Sequence, residues 1–201
     1  MKLYYTPGFC SLSPHIVLHE LGGQFDVERV DVETKTTETG ADFRAINPKG
    51  YVPALRLGDG EVLTEGAAIV QYLADSNGAR RLAPEPGTLA RARLQEQLNF
   101  IASELHKAFG PLFHGATGEA KDEAEANVGN RLDHMERQFA DGRAYLLGDH
   151  FSVADAYLFV VARWTGPTGI GLARWPRLSA FVERVHQRPS VVAAMAAEGL
   201  A

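Results

Sequence analysis

The sequence predicts an α/β half of order β-α-β-α-β-β-α followed by an all-helical half. Three observations carry this. Short apolar or β-branched runs alternate with helical patterns over the first 75 or so residues. A stretch rich in Gly and Pro, including Pro84 and Pro86, then reads as a linker. Beyond it, apolar residues recur at spacings of three and four. The expected division is a first domain at 1–77, a linker at 78–87 and a second domain at 88–201.

In order along the chain, Leu3-Tyr4-Tyr5 reads as a short buried strand. Ile16, Val17, Leu18 and Leu21 predict a helix that stops at Gly22-Gly23, a C-cap signal. Phe25 to Val32 alternates with period two and reads as a strand. Asp42 to Ile46 is expected as a short helix ended by Asn47-Pro48. Runs 54–57 and 61–64 flank Gly58-Asp59-Gly60, a hairpin signal. Gly66 to Asp75 closes the half as a helix. In the second half Leu94, Leu98, Ile101, Leu105 and Phe109 mark a first long helix. Further helices are expected at about 121–140, 153–165, 177–187 and 190–197. Ser152-Val153-Ala154-Asp155 is a capping-box variant, with Phe151 placed as its staple.

Composition narrows the function classes. The chain has 201 residues, 45% apolar and 22% charged, which suits an ordinary globular protein. A net charge of -5 gives no electrostatic case for nucleic acid or an acidic membrane. One cysteine argues against a disulfide-stapled secreted fold. No basic and apolar leader pattern opens the chain, and no apolar run reaches 18 residues. The expectation is a cytoplasmic protein without membrane or nucleic-acid partners.

Five features can carry chemistry. Cys10 lies where a strand turns into a helix, in the sequence Cys10-Ser11-Leu12-Ser13. The helix N-terminus favours thiolate, so the thiol is reactive there; the alternative is a buried structural cysteine. Val52-Pro53 opens a strand, either as a cis bond presenting the Val52 backbone or as an ordinary trans edge proline. Glu65 and Gly66 form a strand-to-helix junction that can hold an amino acid's ammonium and carboxylate, or simply a capping acid. Asn99, Ser103 and His106 make a polar stripe at i, i+4 and i+7, either solvated or lining a site in which His106 handles a proton. His15 and His19 are one turn apart, but no third ligand follows at metalloprotease spacing, so no metal is expected.

Taken together these residues resemble the bacterial, cysteine-containing beta class of glutathione transferases, over essentially the whole chain. The matching segments are Pro7–Ser11, Asn47–Leu55, Leu63–Gly66, Glu104–Lys107 and Phe151–Tyr157. The resemblance implies a thioredoxin-like first domain, an all-helical second domain, a homodimer, and glutathione as co-substrate with no further cofactor. It implies that Cys10 meets the glutathione sulfur and that Val52, beside Pro53, pairs with the cysteinyl backbone. Glu65 and Gly66 would hold the γ-glutamyl end and Lys35 the glycyl carboxylate. Asn99, Ser103, His106 and Lys107 would line the cleft, with Glu104 at the dimer contact near the glutathione amine. Gly66 departs from a pattern in which many members carry Ser. Tyr5 and Ser11 stand close to where other classes keep the thiol-activating hydroxyl.

The implied activity is conjugation of glutathione to small hydrophobic electrophiles, a detoxifying transfer, with Phe9, Phe113, Trp164 and Thr168 expected to form the electrophile pocket. Two alternatives remain: a glutaredoxin-like thiol–disulfide exchanger using Cys10, and a non-catalytic binder of hydrophobic ligands.

Overall fold

A computed structural model describes residues 1–200. By their contacts these fall into two compact units, 1–80 with 187–200, and 81–186.

The first unit is built on a five-stranded sheet of order β3-β2-β1-β4-β5. Its strands are β1 (Lys2–Tyr5), β2 (Asp26–Asp31), β3 (Thr36–Thr37), β4 (Ala54–Arg56) and β5 (Val62–Thr64). β1 lies in the centre, parallel to β2 with Leu3 opposite Val27, and antiparallel to β4 with Leu3 opposite Leu55. Burial on both faces explains why Leu3-Tyr4-Tyr5 reads as a continuous apolar run. One face gathers Tyr4, Val30, Phe43, Val52 and Ala54. Helices α1 (Leu12–Leu21) and α2 (Gly66–Ser76) pack on each other, burying Leu12, Ile16, Val17, Ile69, Val70 and Leu73. α1 ends at Gly22, whose left-handed φ of 70° lets its N–H reach His19 O, as a Gly C-cap should.

Two expectations are corrected here, and one strand is added. The segment expected as a helix at 42–46 is a single 3-10 turn, Phe43–Ala45, capped by Asp42. The strand expected at 25–32 is limited to Asp26–Asp31, because Asp31 Oδ1 accepts the N–H groups of Glu33 and Thr34 and turns the chain. The turn leads into β3, a strand of two threonines too short for periodicity to reveal.

The C-terminal helix α9 (Pro189–Ala197) was expected with the helical half; instead it packs against α1 in the first unit. Polar contacts fasten it there. Glu198 accepts from His15 Nδ1 at 2.8 Å and from Gly8 N–H at 2.9 Å. Glu20 accepts from Ser190 Oγ at 2.5 Å and pairs with Arg188. These partners are more than 160 residues apart in sequence, so no local pattern announces them.

The second unit holds α3 (Leu89–Phe100), α4 (His106–Ala108), α5 (Gly110–Phe113), α6 (Gly118–Gln138), α7 (Val153–Arg163) and α8 (Pro176–His186). α7 is buried on nearly every side, which matches its apolar run. Its N-terminus carries the expected capping box: Asp155 accepts from Ser152 N–H and Oγ, and also from Leu146 N–H. α3 runs into α4 through a π-helical stretch, Ile101–Leu105, closed by His106 N–H on Ile101 O. Ser103 Oγ donates back to Asn99 O at 2.9 Å, the kind of side-chain bond that perturbs a helical ladder. Among the described residues no helix is long and apolar enough to cross a membrane.

Candidate functional site

The expected site residues fall into two clusters, one in each unit. In the first unit three loops meet. The loop after β1 carries Phe9, Cys10 and Ser11; Ser13 N–H and Oγ both donate to Cys10 O, opening α1 just past the thiol. The partly exposed Cys10 Sγ lies 3.5 Å from Val52 O, toward which it donates. Val52 belongs to the second loop, and the Val52–Pro53 bond is cis, as the sequence reading expects. Its N–H makes no hydrogen bond among the described residues.

The third loop is the β5–α2 junction. Glu65 has φ 70°, a left-handed value that a non-glycine residue adopts at a cost of about 1–3 kcal/mol. Its carbonyl accepts from Ala68 and Ile69 N–H, starting α2. The first N–H groups of α2, those of Gly66 and Ala67, stand outside the helix's own ladder and point to where an anion would sit. Gly66 touches the second loop: a Cβ there would lie 3.7 Å from Pro53 Cγ and 3.9 Å from Ser13 Oγ. The Glu65 carboxylate meets Lys49 Nζ at 2.5 Å and Tyr51 OH at 3.1 Å. Lys49 also donates to Thr64 Oγ1 at 3.0 Å. The hydrogen bond and charge of Glu65 raise the Lys49 pKa, and burial together with Glu65 raises that of Tyr51. Lys35 has φ 59°, and its stem lies beside Gly50, near the side chain of Arg44.

Two hydroxyls named as thiol activators are placed differently. Ser11 is fully buried, donating to Thr6 O and accepting from Thr6 N–H. Its hydroxyl is used inside the loop, which makes Ser11 a residue that shapes the Cys10 turn. Tyr5 is buried against His15, and burial raises its pKa.

In the second unit His106 sits in an aromatic nest. Its Nδ1 is 2.7 Å from the Tyr157 hydroxyl, and its ring meets Trp164 edge-on at 4.7 Å. Trp164 in turn packs edge-on against Phe113 at 5.3 Å and Phe109 at 5.7 Å. Thr168 Oγ1 donates to Trp164 O. Three of the four expected pocket residues, Phe113, Trp164 and Thr168, are therefore together, and Phe9 is exposed in the first unit. Glu104 pairs with Arg131 at 3.2 Å, and Lys107 belongs to α4. The polar stripe is revised. The π stretch adds one residue to a turn, so His106 is offset by about 100° from the face a continuous α-helix would share with Asn99 and Ser103.

Sequence reasoning missed Lys49, Tyr51 and Tyr157. Lys49 and Tyr51 lie inside a segment already singled out, four and two residues before Pro53, and Tyr157 closes the capping-box segment. Each was hidden because its partner is distant in sequence.

A five-stranded mixed sheet with α1 and α2 against it, a thiol at the start of one helix and an acid at the start of the other, is a thioredoxin-like arrangement. Comparison with known proteins agrees. The family model for the glutathione S-transferase N-terminal domain matches residues 9–76, and that for the C-terminal domain matches 100–189. The chain is 45% identical, over all of both chains, to glutathione S-transferase GstA of Escherichia coli O157:H7. Solved structures with the same fold include a ternary complex of BphK, a bacterial GST, at 51% identity and TM-score 0.95 over all of both chains. Another is a sphingomonad glutathione S-transferase complexed with glutathione, at 49% identity and TM-score 0.94, again over all of both chains. The chain belongs to the glutathione S-transferase family, and its structural relatives include a beta-class member from Sphingomonas chungbukensis at 48% identity, TM-score 0.95 and complete coverage of both chains.

Proposed function

We propose that the chain is a glutathione transferase that conjugates glutathione to small hydrophobic electrophiles, acting in the cytoplasm as a homodimer. The observation that carries this is the junction of the three first-unit loops, which offers complementary groups to the γ-glutamyl and cysteinyl parts of the tripeptide. Glu65 takes the γ-glutamyl ammonium, and the Gly66 and Ala67 N–H groups take the carboxylate beside it. The Val52 N–H pairs with the cysteinyl carbonyl in the manner of an added strand, next to Pro53. Lys35 meets the glycyl carboxylate. Cys10 Sγ, directed at Val52 O, is beside the position this gives the glutathione sulfur.

Chemistry follows from that placement. Binding orients the thiol, and nearby donors stabilise its thiolate after the proton leaves to solvent. The sulfur lone pair forms the new S–C bond, and the leaving group departs with the electrons of the broken bond. Cys10 is the first-unit donor proposed for the thiolate; in the second unit His106 is proposed as a proton-handling group, and Asn99, Ser103, Glu104 and Lys107 as glutathione-binding residues. Phe113, Trp164 and Thr168, which lie together in the second unit, are the residues proposed to receive the electrophile. No cofactor is required for this displacement.

A second reading draws on the partial exposure of Cys10. Its thiolate can attack a glutathione mixed disulfide, releasing the substrate thiolate; free glutathione then attacks the Cys10 disulfide, restoring the thiol and leaving as glutathione disulfide.

Titration calorimetry with reduced glutathione tests the first reading. Saturable binding is expected, weakened at least tenfold in Glu65→Gln; no binding to the wild-type protein overturns it. Light scattering should give about twice the 21.9 kDa chain mass, and a monomer mass contradicts the dimer.

A further inference from the structure

The Lys49–Glu65 pair is the unusual feature of the glutathione site. Glu65 is expected to hold the ammonium of the γ-glutamyl head, yet a cation from the protein already sits on that carboxylate, 2.5 Å away. Lys49 is anchored a second time by Thr64 Oγ1 at 3.0 Å, and Tyr51 OH holds the same Glu65 oxygen at 3.1 Å. An incoming ammonium must share or replace the lysine. If the lysine were merely displaced, binding would exchange one ion pair for another and strand a cation beside the site.

The geometry points to a different exchange: Lys49 is a substrate-binding residue that reads the α-carboxylate of the γ-glutamyl head. This rests on the glutathione reading given above. The head of γ-glutamyl is a zwitterion, with ammonium and carboxylate on one carbon. Lys49 and Glu65 are a cation and an anion in contact, the complementary pair. When the zwitterion enters, its ammonium takes Glu65 and its carboxylate takes Lys49, alongside the N–H groups at the start of α2. Two ion pairs then stand where one stood, and no charge is left without a partner.

The side chains suit that motion. Lys49 is 44% exposed, and a lysine ammonium is a compact charge on a flexible stem that can swing a short way at little cost. Tyr51 keeps its hydroxyl on Glu65 throughout, so the acceptor stays in position while its cationic partner changes. The specificity that results is for an intact α-amino acid head. A ligand with the ammonium alone would turn Lys49 off Glu65 and give it nothing in return.

The test is a cycle between residue and ligand. Binding of glutathione and of γ-aminobutyryl-cysteinylglycine, which lacks only the α-carboxylate, is measured by calorimetry for wild type, Lys49→Met and Lys49→Arg. The expected result is that wild type prefers glutathione strongly and that this preference falls about tenfold in Lys49→Met, a coupling of about 1.4 kcal/mol. Lys49→Arg should recover most of it. Two results overturn the assignment: an equal preference in wild type and Lys49→Met, or tighter glutathione binding in Lys49→Met, which would make Lys49 a competitor for Glu65. A wild-type protein that binds neither ligand overturns the glutathione reading itself. Thermal unfolding of each variant confirms that the comparison is between folded proteins.

Discussion

The Tyr157 hydroxyl lies 2.7 Å from His106 Nδ1 and, with Trp164 edge-on at 4.7 Å, fixes how the imidazole is turned. A histidine that only packs would make such a bond to satisfy its buried nitrogen. A histidine that donates to a thiolate needs the same fixed ring.

Kinetics separate the two roles. In the catalytic account His106→Phe folds and binds glutathione but loses turnover by about 10²–10⁴. Tyr157→Phe loses less, roughly tenfold in kcat with little change in the glutathione KM, because the ring remains but turns. Steady-state rates of folded protein check both, and unaltered turnover in either variant speaks for packing.

Glu198 closes the first unit by accepting from His15 Nδ1 and Gly8 N–H, with both side chains of the His–Glu pair almost completely buried. Removing one member leaves the other without its partner. Glu198→Ala should cost about 3–5 kcal/mol and lower the unfolding temperature by roughly 6–20 °C. Gly8 lies two residues before Cys10, so alkylation of Cys10 should also speed up in this variant. A calorimetric melt within 2 °C of wild type, on the order of 1 kcal/mol or less, would show that the pair contributes little.

Burial pushes the Asp155 carboxyl up to about 6, against hydrogen bonds from Leu146 and Ser152 that favour its ionised form. The folded pKa exceeds the unfolded value of 3.8, so the folded state binds the proton more tightly. The contribution of this group to stability is full below the unfolded pKa and falls as pH rises through about 6. Asp155→Asn has no such titration. The stability gap between wild type and Asp155→Asn should therefore shrink, by on the order of 1 kcal/mol, between pH 5 and pH 7.5, measured by urea unfolding. A gap that widens with pH contradicts the assignment.

Gly66 has an ordinary backbone, and a Cβ there meets Pro53 and Ser13 at 3.7 and 3.9 Å, normal contact distances. Gly66→Ser should fold, gain a few tenths of a kcal/mol in helix propensity, and lower the glutathione KM by roughly twofold to tenfold through an added hydroxyl. A raised KM with unchanged stability would show that the glycine is needed for close approach of the ligand.

What the sequence made legible was local. Cys10 before α1, the Gly22 cap, the Gly58–Gly60 hairpin and the Ser152–Asp155 box depend on neighbours in the chain, and each appears where the pattern placed it. What it hid was non-local or too short to have a period. β3 is two residues long, the π stretch alters a helix without changing its apolar pattern, and α9 is fastened by Glu198 and Glu20 to residues on a distant helix. The same holds within the site. Glu65 was visible as an acid at a helix start, but Lys49 and Tyr51 become its partners only when two loops meet. Ser11 looked available from its position beside Cys10, and Thr6 takes up its hydroxyl.

Transfer of glutathione is measured directly as formation of S-(2,4-dinitrophenyl)glutathione from glutathione and 1-chloro-2,4-dinitrobenzene, with chloride released in equal amount. The expected rate exceeds that of the uncatalysed reaction, saturates in glutathione, and has a KM raised at least tenfold in Glu65→Gln, a loss of at least about 1.4 kcal/mol. A wild-type rate no greater than the uncatalysed one, or a Glu65→Gln enzyme with unaltered glutathione KM, would contradict it.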